Sequence, residues 1–319
     1  MHIPDGFINA PTAAVTAGLS AAGLALALRQ VRRELPPRRM PLLGLSAAFL
    51  FAAQMINFPV AGGTSGHLMG GVLVAALLGP AAAVVVLSTV LIVQCFLFAD
   101  GGVLALGANI FNMALLGSVG GYAIYRLVWR VLPGAGGRIA AVAFAAWCST
   151  VLASIGCAGE LALSRTVPWS AAFPAMAGIH MLIGVGEGVI TALVFVAILR
   201  ARPDLTPADP TAPAGPGWGA LAGYGLLIAL GLAIFVAPFA SPLPDGLEAV
   251  AAKLGFDHRA VEPVLPAPIP DYALPGIQSA AAATALAGLV GTLIVFVLAV
   301  ILGRILGARL SGARRPAAD

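Results

Sequence analysis

Met1 and His2 offer three nitrogen donors within a single dipeptide at the start of the chain. These are the α-amine, the backbone nitrogen of residue 2 and the imidazole Nδ1 of His2. On one metal ion, the amine and amide nitrogens close a five-membered chelate ring, and the amide and imidazole nitrogens a six-membered one. The three donors lie near one plane and leave a fourth corner open, an arrangement that suits Ni(II) or Cu(II). An amide nitrogen gives up its proton only to a metal that stabilises it well, which disfavours Mg(II) and Ca(II). His67 is the candidate for the open corner, since it follows the glycine-rich run Ala61-Gly62-Gly63-Thr64-Ser65-Gly66. Glycine lets backbone come close to an inserted terminus, and Pro4 and Gly6 can turn a terminal hook back on itself. From spacing alone, each histidine reads more readily as an ordinary polar residue than as a ligand.

This chemistry needs a free amine at Met1. The opening residues Met-His-Ile-Pro-Asp-Gly carry no basic n-region of the kind a secretory signal has. The first arginine, Arg29, comes only after the first apolar run. The expectation is a mature chain that begins at Met1 on the extracytoplasmic side. The bulk of His2 should protect Met1 from removal.

The elements that position these donors follow from composition. The chain has 319 residues, 60% hydrophobic and 9% charged. A soluble domain carries about a quarter charged residues, so lipid is the solvent for most of this chain. The net charge of +4 comes almost wholly from arginines grouped between apolar runs, with Lys253 the only lysine. That grouping reads as membrane topology and not as nucleic-acid binding. Cys95, Cys148 and Cys157 lie inside apolar runs without a CxxC pair, which argues against a thiolate site or a disulfide framework.

Apolar runs long enough to cross the bilayer fall at about 8–29, 41–58, 81–98, 104–127, 139–161, 172–199, 218–240 and 279–306. A shorter run, 68–79, is split from its neighbour by Gly79-Pro80. It reads as a ninth span or as a re-entrant segment. Arg29, Arg32, Arg33, Arg38 and Arg39 mark the cytoplasmic end of the first run. Arg126 and Arg130, Arg200 and Arg202, and Arg304, Arg309, Arg314 and Arg315 mark later cytoplasmic ends. The fold class expected is therefore an all-α, polytopic membrane bundle of about nine transmembrane helices, seven before a linker at 203–217 and two after it. Three regions result: 1–202, the Pro/Ala/Gly-rich cytoplasmic linker 203–217, and 218–319 with an extracytoplasmic insert at 241–278. The first run carries small residues at every fourth position, Ala17, Ala21, Ala25 and Ala14, Gly18, Ala22, which reads either as internal packing or as a face for another membrane subunit.

Polar residues within apolar runs are functional candidates. Asn57, Gln94, Asn109 and Asn112 are placed to orient the metal donors from behind, or to tie helices together. His180 and Glu187 stand seven apart on one helical face. They read as a second metal site, a proton relay or helix-tying groups. Glu160, near an outer helix end, could attract cations, and His258 in the insert reads as solvated. The sequence has no Gly-x4-Gly-Lys-Ser/Thr loop, Gly-x-Ser-x-Gly elbow or His-Glu-x-x-His helix. It is therefore read as a non-enzyme that binds no nucleotide.

Three blocks carry a resemblance. Met1-His2-Ile3-Pro4-Asp5-Gly6-Phe7, the stretch Phe58-Pro59-Val60 through Gly63-Thr64-Ser65-Gly66-His67, and His180-x6-Glu187-Gly188 resemble the nickel/cobalt substrate-capture subunits of energy-coupling-factor transporters, the CbiM/NikM family. The likeness covers roughly 1–200. Pro244-Asp245-Gly246-Leu247-Glu248, with Pro270-Asp271-Tyr272 downstream, resembles the small two-span companion subunit of that family, so the chain looks like a fusion of the two. The resemblance implies metal capture by Met1, His2 and His67, in a multi-pass protein of the prokaryotic inner membrane. The cargo it implies is Ni(II) or Co(II), with Ni(II) placed first because four nitrogens in a plane favour it. It also implies a transmembrane coupling (T) subunit and cytoplasmic ATPases as partners. The rival readings are a stand-alone secondary cation transporter coupled through Glu187 and an intramembrane enzyme using His180 and Glu187.

Overall fold

The computed structural model describes residues 1–36, 39–202 and 217–312. Arg38, Arg314, Arg315 and all of the expected linker except Gly217 lie outside the described residues. Within them the chain is almost entirely helical. Helix α1 spans Ala10–Glu34, α2 Pro41–Gln54, α3 Gly71–Leu78 and α4 Pro80–Phe98. A continuous helical stretch follows: α5 (Leu106–Asn109), a π-helical segment (Ile110–Gly120) and α6 (Gly121–Val131). Then come α7 (Ala135–Leu163), α8 (Trp169–Ala201), α9 (Trp218–Phe235), α10 (Gly246–Leu254) and α11 (Ala280–Gly312). One antiparallel hairpin, β1 (Phe58–Val60) with β2 (Thr64–Gly66), pairs Phe58 with Gly66 and Val60 with Thr64.

Local chemistry explains the ends. Asn9 caps α1 by accepting from the Thr12 N–H at 3.0 Å, and Arg32 and Arg33 occupy its last turn, where cations favour the helix dipole. The backbone N–H of Ala99 closes α4 in a left-handed conformation (φ 56°). α4 is apolar on every side and is the most buried of the long helices, as expected for a helix without a polar stripe. Close helix approach comes from glycine: a Cβ at Gly188 of α8 would stand 2.8 Å from the Ala143 carbonyl of α7.

Among the described residues, six helices are long and apolar enough to cross a membrane: α1, α4, α7, α8, α9 and α11. The other expected spans differ from the reading by apolar runs. The 41–58 run is helical only over the 14 residues of α2, about 21 Å of rise. Its outer end is instead the β1–β2 hairpin. The 68–79 run holds only the eight residues of α3, about 12 Å, too short to cross about 30 Å of hydrocarbon alone. The run expected at 104–127 is a composite, with an 11-residue π-helical segment in its middle. Such segments widen the backbone turn and re-aim the side chains they carry.

The insert between α9 and α11 is folded against the rest of the chain. Ser65 N–H donates to the Pro244 carbonyl at 2.8 Å, Ser65 Oγ to the Leu243 carbonyl at 2.7 Å, and Thr64 Oγ1 to the Pro244 carbonyl at 3.0 Å. Ser241 N–H donates to the Asn57 carbonyl, and Ile269 N–H to the Leu97 carbonyl. The hairpin before His67 and the insert are thus stitched edge to edge. Those bonds also satisfy backbone groups that would otherwise be orphaned in an apolar setting.

Candidate metal centre

The N-terminal segment runs inward as an extended strap held by side chains and backbone from two directions. Asn109, at the start of the π-helical segment, makes a reciprocal pair with Ile3: Ile3 N–H donates to Oδ1 at 2.8 Å, and Nδ2 donates to the Ile3 carbonyl at 3.1 Å. The same carbonyl accepts from Gly102 N–H at 2.9 Å. Asp5, buried, accepts from Val103 N–H and Leu104 N–H at 3.2 and 2.9 Å. A Cβ at Gly102 would overlap the Asp5 carboxyl and backbone nitrogen, so only glycine admits the strap there. Gly6, at φ +95°, turns the strap beneath the Arg259 carbonyl of the insert.

At its tip, the Met1 amine stands 2.9 Å from His67 Nε2 and 2.7 Å from Asp245 Oδ2. The His2 and His67 rings stack with centroids 5.4 Å apart. His2 Nδ1 is 3.1 Å from Asp100 Oδ1, and its Nε2 is buried without a partner. Asp100 Oδ2 in turn accepts from the Tyr272 hydroxyl. Burial pushes the His2 imidazole below its ordinary value in spite of Asp100 beside it. Burial also drives His67 well below, and the neighbouring Met1 ammonium adds to the effect. Both imidazoles therefore present neutral nitrogens at neutral pH, the form that binds metal. Burial would raise the Asp245 carboxyl, yet the Met1 ammonium overrides it and holds the group well below the usual carboxylate range.

The residues expected behind the donors divide. Asn109 orients the strap directly. Gln94 is buried against His2 and Tyr272 without a well-aligned hydrogen bond to either, and its carbonyl accepts from Asp100 N–H at 3.1 Å. Asn57 contributes its carbonyl to the insert and not its side chain to the hook. Glu187 is not beside the donors: its carboxylate accepts from Met69 N–H at 2.6 Å and Gly70 N–H at 2.9 Å, pinning the chain just after His67 at the start of α3. His180 lies on the far wall of a cavity of about 30 Å³ that Met1, His67, Met69 and Asp245 also line. Its Nδ1 sits 2.8 Å from the Met176 carbonyl, which places the proton there. Asn112 donates to Glu160 at 2.6 Å; both are buried, so Glu160 is a helix-tying group and not a surface attractor. His258 is exposed, as expected. Sequence reading missed Asp100, Asp245 and Tyr272. Asp245 and Tyr272 were visible only as marks of resemblance.

Comparison with known proteins agrees with this architecture. The family model CbiM, cobalt uptake substrate-specific transmembrane region, matches residues 2–205, and the PDGLE domain model matches 219–308. The chain belongs to the CbiM family. A chain of Archaeoglobus fulgidus named as a fused nickel transport protein, NikMN, is 39% identical over 306 residues, covering 95% of this chain and 98% of that one. The fused nickel transport protein NikMN of Rhodobacter capsulatus is 36% identical over 231 residues, 68% of this chain and 66% of that one. A crystal structure of a truncated transition metal transporter superposes with a TM-score of 0.58 at 34% identity, covering 63% of this chain and 99% of that chain. This CbiM-family chain with its PDGLE part is a multi-pass membrane protein of metal transport and not an enzyme.

Proposed function

We propose that this chain is the substrate-binding subunit of an energy-coupling-factor importer for a transition-metal ion, Ni(II) first and Co(II) next. The ion is captured by the Met1 amine, the backbone nitrogen and Nδ1 of His2, and Nε2 of His67. One observation carries the reading. In a square built on the Met1-His2 chelate the amide nitrogen lies between the amine and Nδ1, so the fourth corner must adjoin the amine. With metal–nitrogen bonds of about 2.0–2.1 Å, adjoining corners stand about 2.9 Å apart. Met1 N and His67 Nε2 are 2.9 Å apart. To complete the square, the His2 ring turns about its soft Cβ–Cγ torsion, releasing Nδ1 from Asp100.

Ni(II) is placed ahead of Co(II) because a planar four-nitrogen set suits it better. The power for uptake resides in other chains, a transmembrane coupling subunit and cytoplasmic ATPases, which reorient the site or open it inward. The exposed small-residue face of α1, where Gly18 has open space beside it, is the proposed contact with the coupling subunit. Metal competition on the purified full-length chain tests the choice of ion: Ni(II) is expected to displace Co(II). Equal or reversed preference refutes the nickel assignment.

A further inference from the structure

The hook is braced by residues that belong to the PDGLE part of the chain. Asp245 divides its two oxygens. Oδ1 caps α10, accepting from Leu247 N–H at 2.8 Å and Glu248 N–H at 2.9 Å. Oδ2 is left for the Met1 amine at 2.7 Å. Glu248 closes the capping box by accepting from Asp245 N–H at 2.9 Å, so the carboxylate's aim is set by the helix start itself. Gly246 lets that helix start come down onto the cavity: a Cβ there would stand 2.7 Å from His180 Cε1 and 2.8 Å from Ile183 Cδ1. Tyr272 reaches the other donor residue, its hydroxyl donating to Asp100, whose second oxygen faces His2 Nδ1. Val261 N–H donates to the Asp5 carbonyl at 3.0 Å, and Phe256 meets Phe7 edge-on with centroids 5.1 Å apart. The insert thus lies along the strap from residue 1 to residue 7.

We infer that the PDGLE part completes the capture site: Asp245 is a positioning residue for the Met1 amine. The inference rests on the hook proposed above. A divalent ion held by three neutral nitrogens and one deprotonated amide keeps a net positive charge in a buried site. Two carboxylates beside the donors offset it, and partners behind metal ligands orient those ligands. The PDGLE part is then a component of the site, and a hook without it aims its amine poorly.

Full-length protein in detergent, titrated with Ni(II) against a competing chelator, tests this. Asp245→Asn keeps a good helix cap but presents an amide to the amine; an affinity loss of about 10–100-fold is expected. Glu248→Gln removes a nearby charge yet keeps an acceptor for the Asp245 N–H and leaves Oδ2 in place, and should bind within about twofold of the parent. The Ni(II) d–d band should move in Asp245→Asn and stay fixed in Glu248→Gln, which a purely structural tether would not produce. Gly246→Ala, which lifts the helix start, is a second route and should also weaken binding. Parental affinity in Asp245→Asn and Gly246→Ala overturns the inference, as does an equal loss in Glu248→Gln and Asp245→Asn. A chain lengthened by one N-terminal residue separates the two ideas. If it loses tight binding while Asp245→Asn does not, the hook stands and this inference falls. If it binds normally, the hook itself falls.

Discussion

Adding one glycine before Met1 is the sharpest perturbation of the hook. The Met1 amine is enclosed, with His67 Nε2 at 2.9 Å and Asp245 Oδ2 at 2.7 Å. A further residue advances the terminus by a Cα step of about 3.8 Å. The cavity beside it holds about 30 Å³, room for about one water molecule. The added peptide unit cannot be housed without withdrawing the strap. Withdrawal is resisted by the Asn109–Ile3 pair and by the two backbone donors to Asp5. The former amine becomes a peptide nitrogen, and Asp245 faces no cation. Removing one member of a buried ion pair costs about 3–5 kcal/mol. At about 1.4 kcal/mol per tenfold, that is a loss of roughly two to three and a half orders of magnitude in affinity. The assay is a chelator-competition titration with Ni(II), with mass spectrometry confirming that the extra glycine is retained. An extended chain that binds with the parent affinity refutes the hook.

Four further outcomes are expected. His67→Ala removes the fourth donor and should weaken Ni(II) binding by at least about tenfold; an unchanged titration removes His67 from the ligand set. Affinity should rise with pH by up to about tenfold per pH unit for each proton released. Burial holds the His2 and His67 pKa values down, so both rings stay neutral as pH falls past about 6.5. Titrations in two buffers of different ionisation enthalpy count the protons released on binding. A flat profile refutes proton release. Glu187→Ala strips the acceptor from two backbone N–H groups, Met69 and Gly70, each costing about 1–3 kcal/mol when buried unpaired; thermal unfolding should drop by several degrees, and an unchanged melting temperature refutes the role. Gly102→Ala, whose Cβ would overlap Asp5, should lower Ni(II) affinity, whereas Gly18→Ala on the open face of α1 should not; equal behaviour of the two refutes the account of the strap.

Long apolar runs were legible because one physical variable, transfer to lipid, dominates them. α1, α4, α7, α8, α9 and α11 fall within or close to the runs that hydropathy marks. The reading falls short where hydropathy is blind to backbone geometry. Residues 55–58 are apolar enough to continue α2, yet the backbone leaves the helix at Met55 to build the hairpin that carries Thr64 and Ser65. Residues 68–79 are as apolar as a span, but Gly70 adopts φ 72° and Gly79 φ 92°, leaving eight helical residues between them. The π-helical stretch has no compositional mark at all: Ile110–Gly120 reads like any apolar helix.

The donors were legible for a different reason: Met1 and His2 are adjacent in sequence, so their chelate geometry is local and calculable without a fold. What is non-local was not. Asp100 has no mark in the sequence, and Asp245 stands there only as a letter in a signature, because 244 positions separate it from the amine it meets (245 − 1). No periodicity links a carboxylate in an extracytoplasmic insert to a terminal amine. The link is made by Thr64 and Ser65, whose bonds to the Leu243 and Pro244 carbonyls hold the signature beside the hook. Those two hydroxyl residues stand immediately before Gly66 and His67. The second block that resembles the family therefore does two jobs: His67 stands against the Met1 amine, and the residues before it seat the PDGLE part. Fusing that part to the same chain keeps its effective concentration at the hook high, and Leu247, Val250, Ala251 and Phe256 add buried apolar contact to the hydrogen-bonded seam.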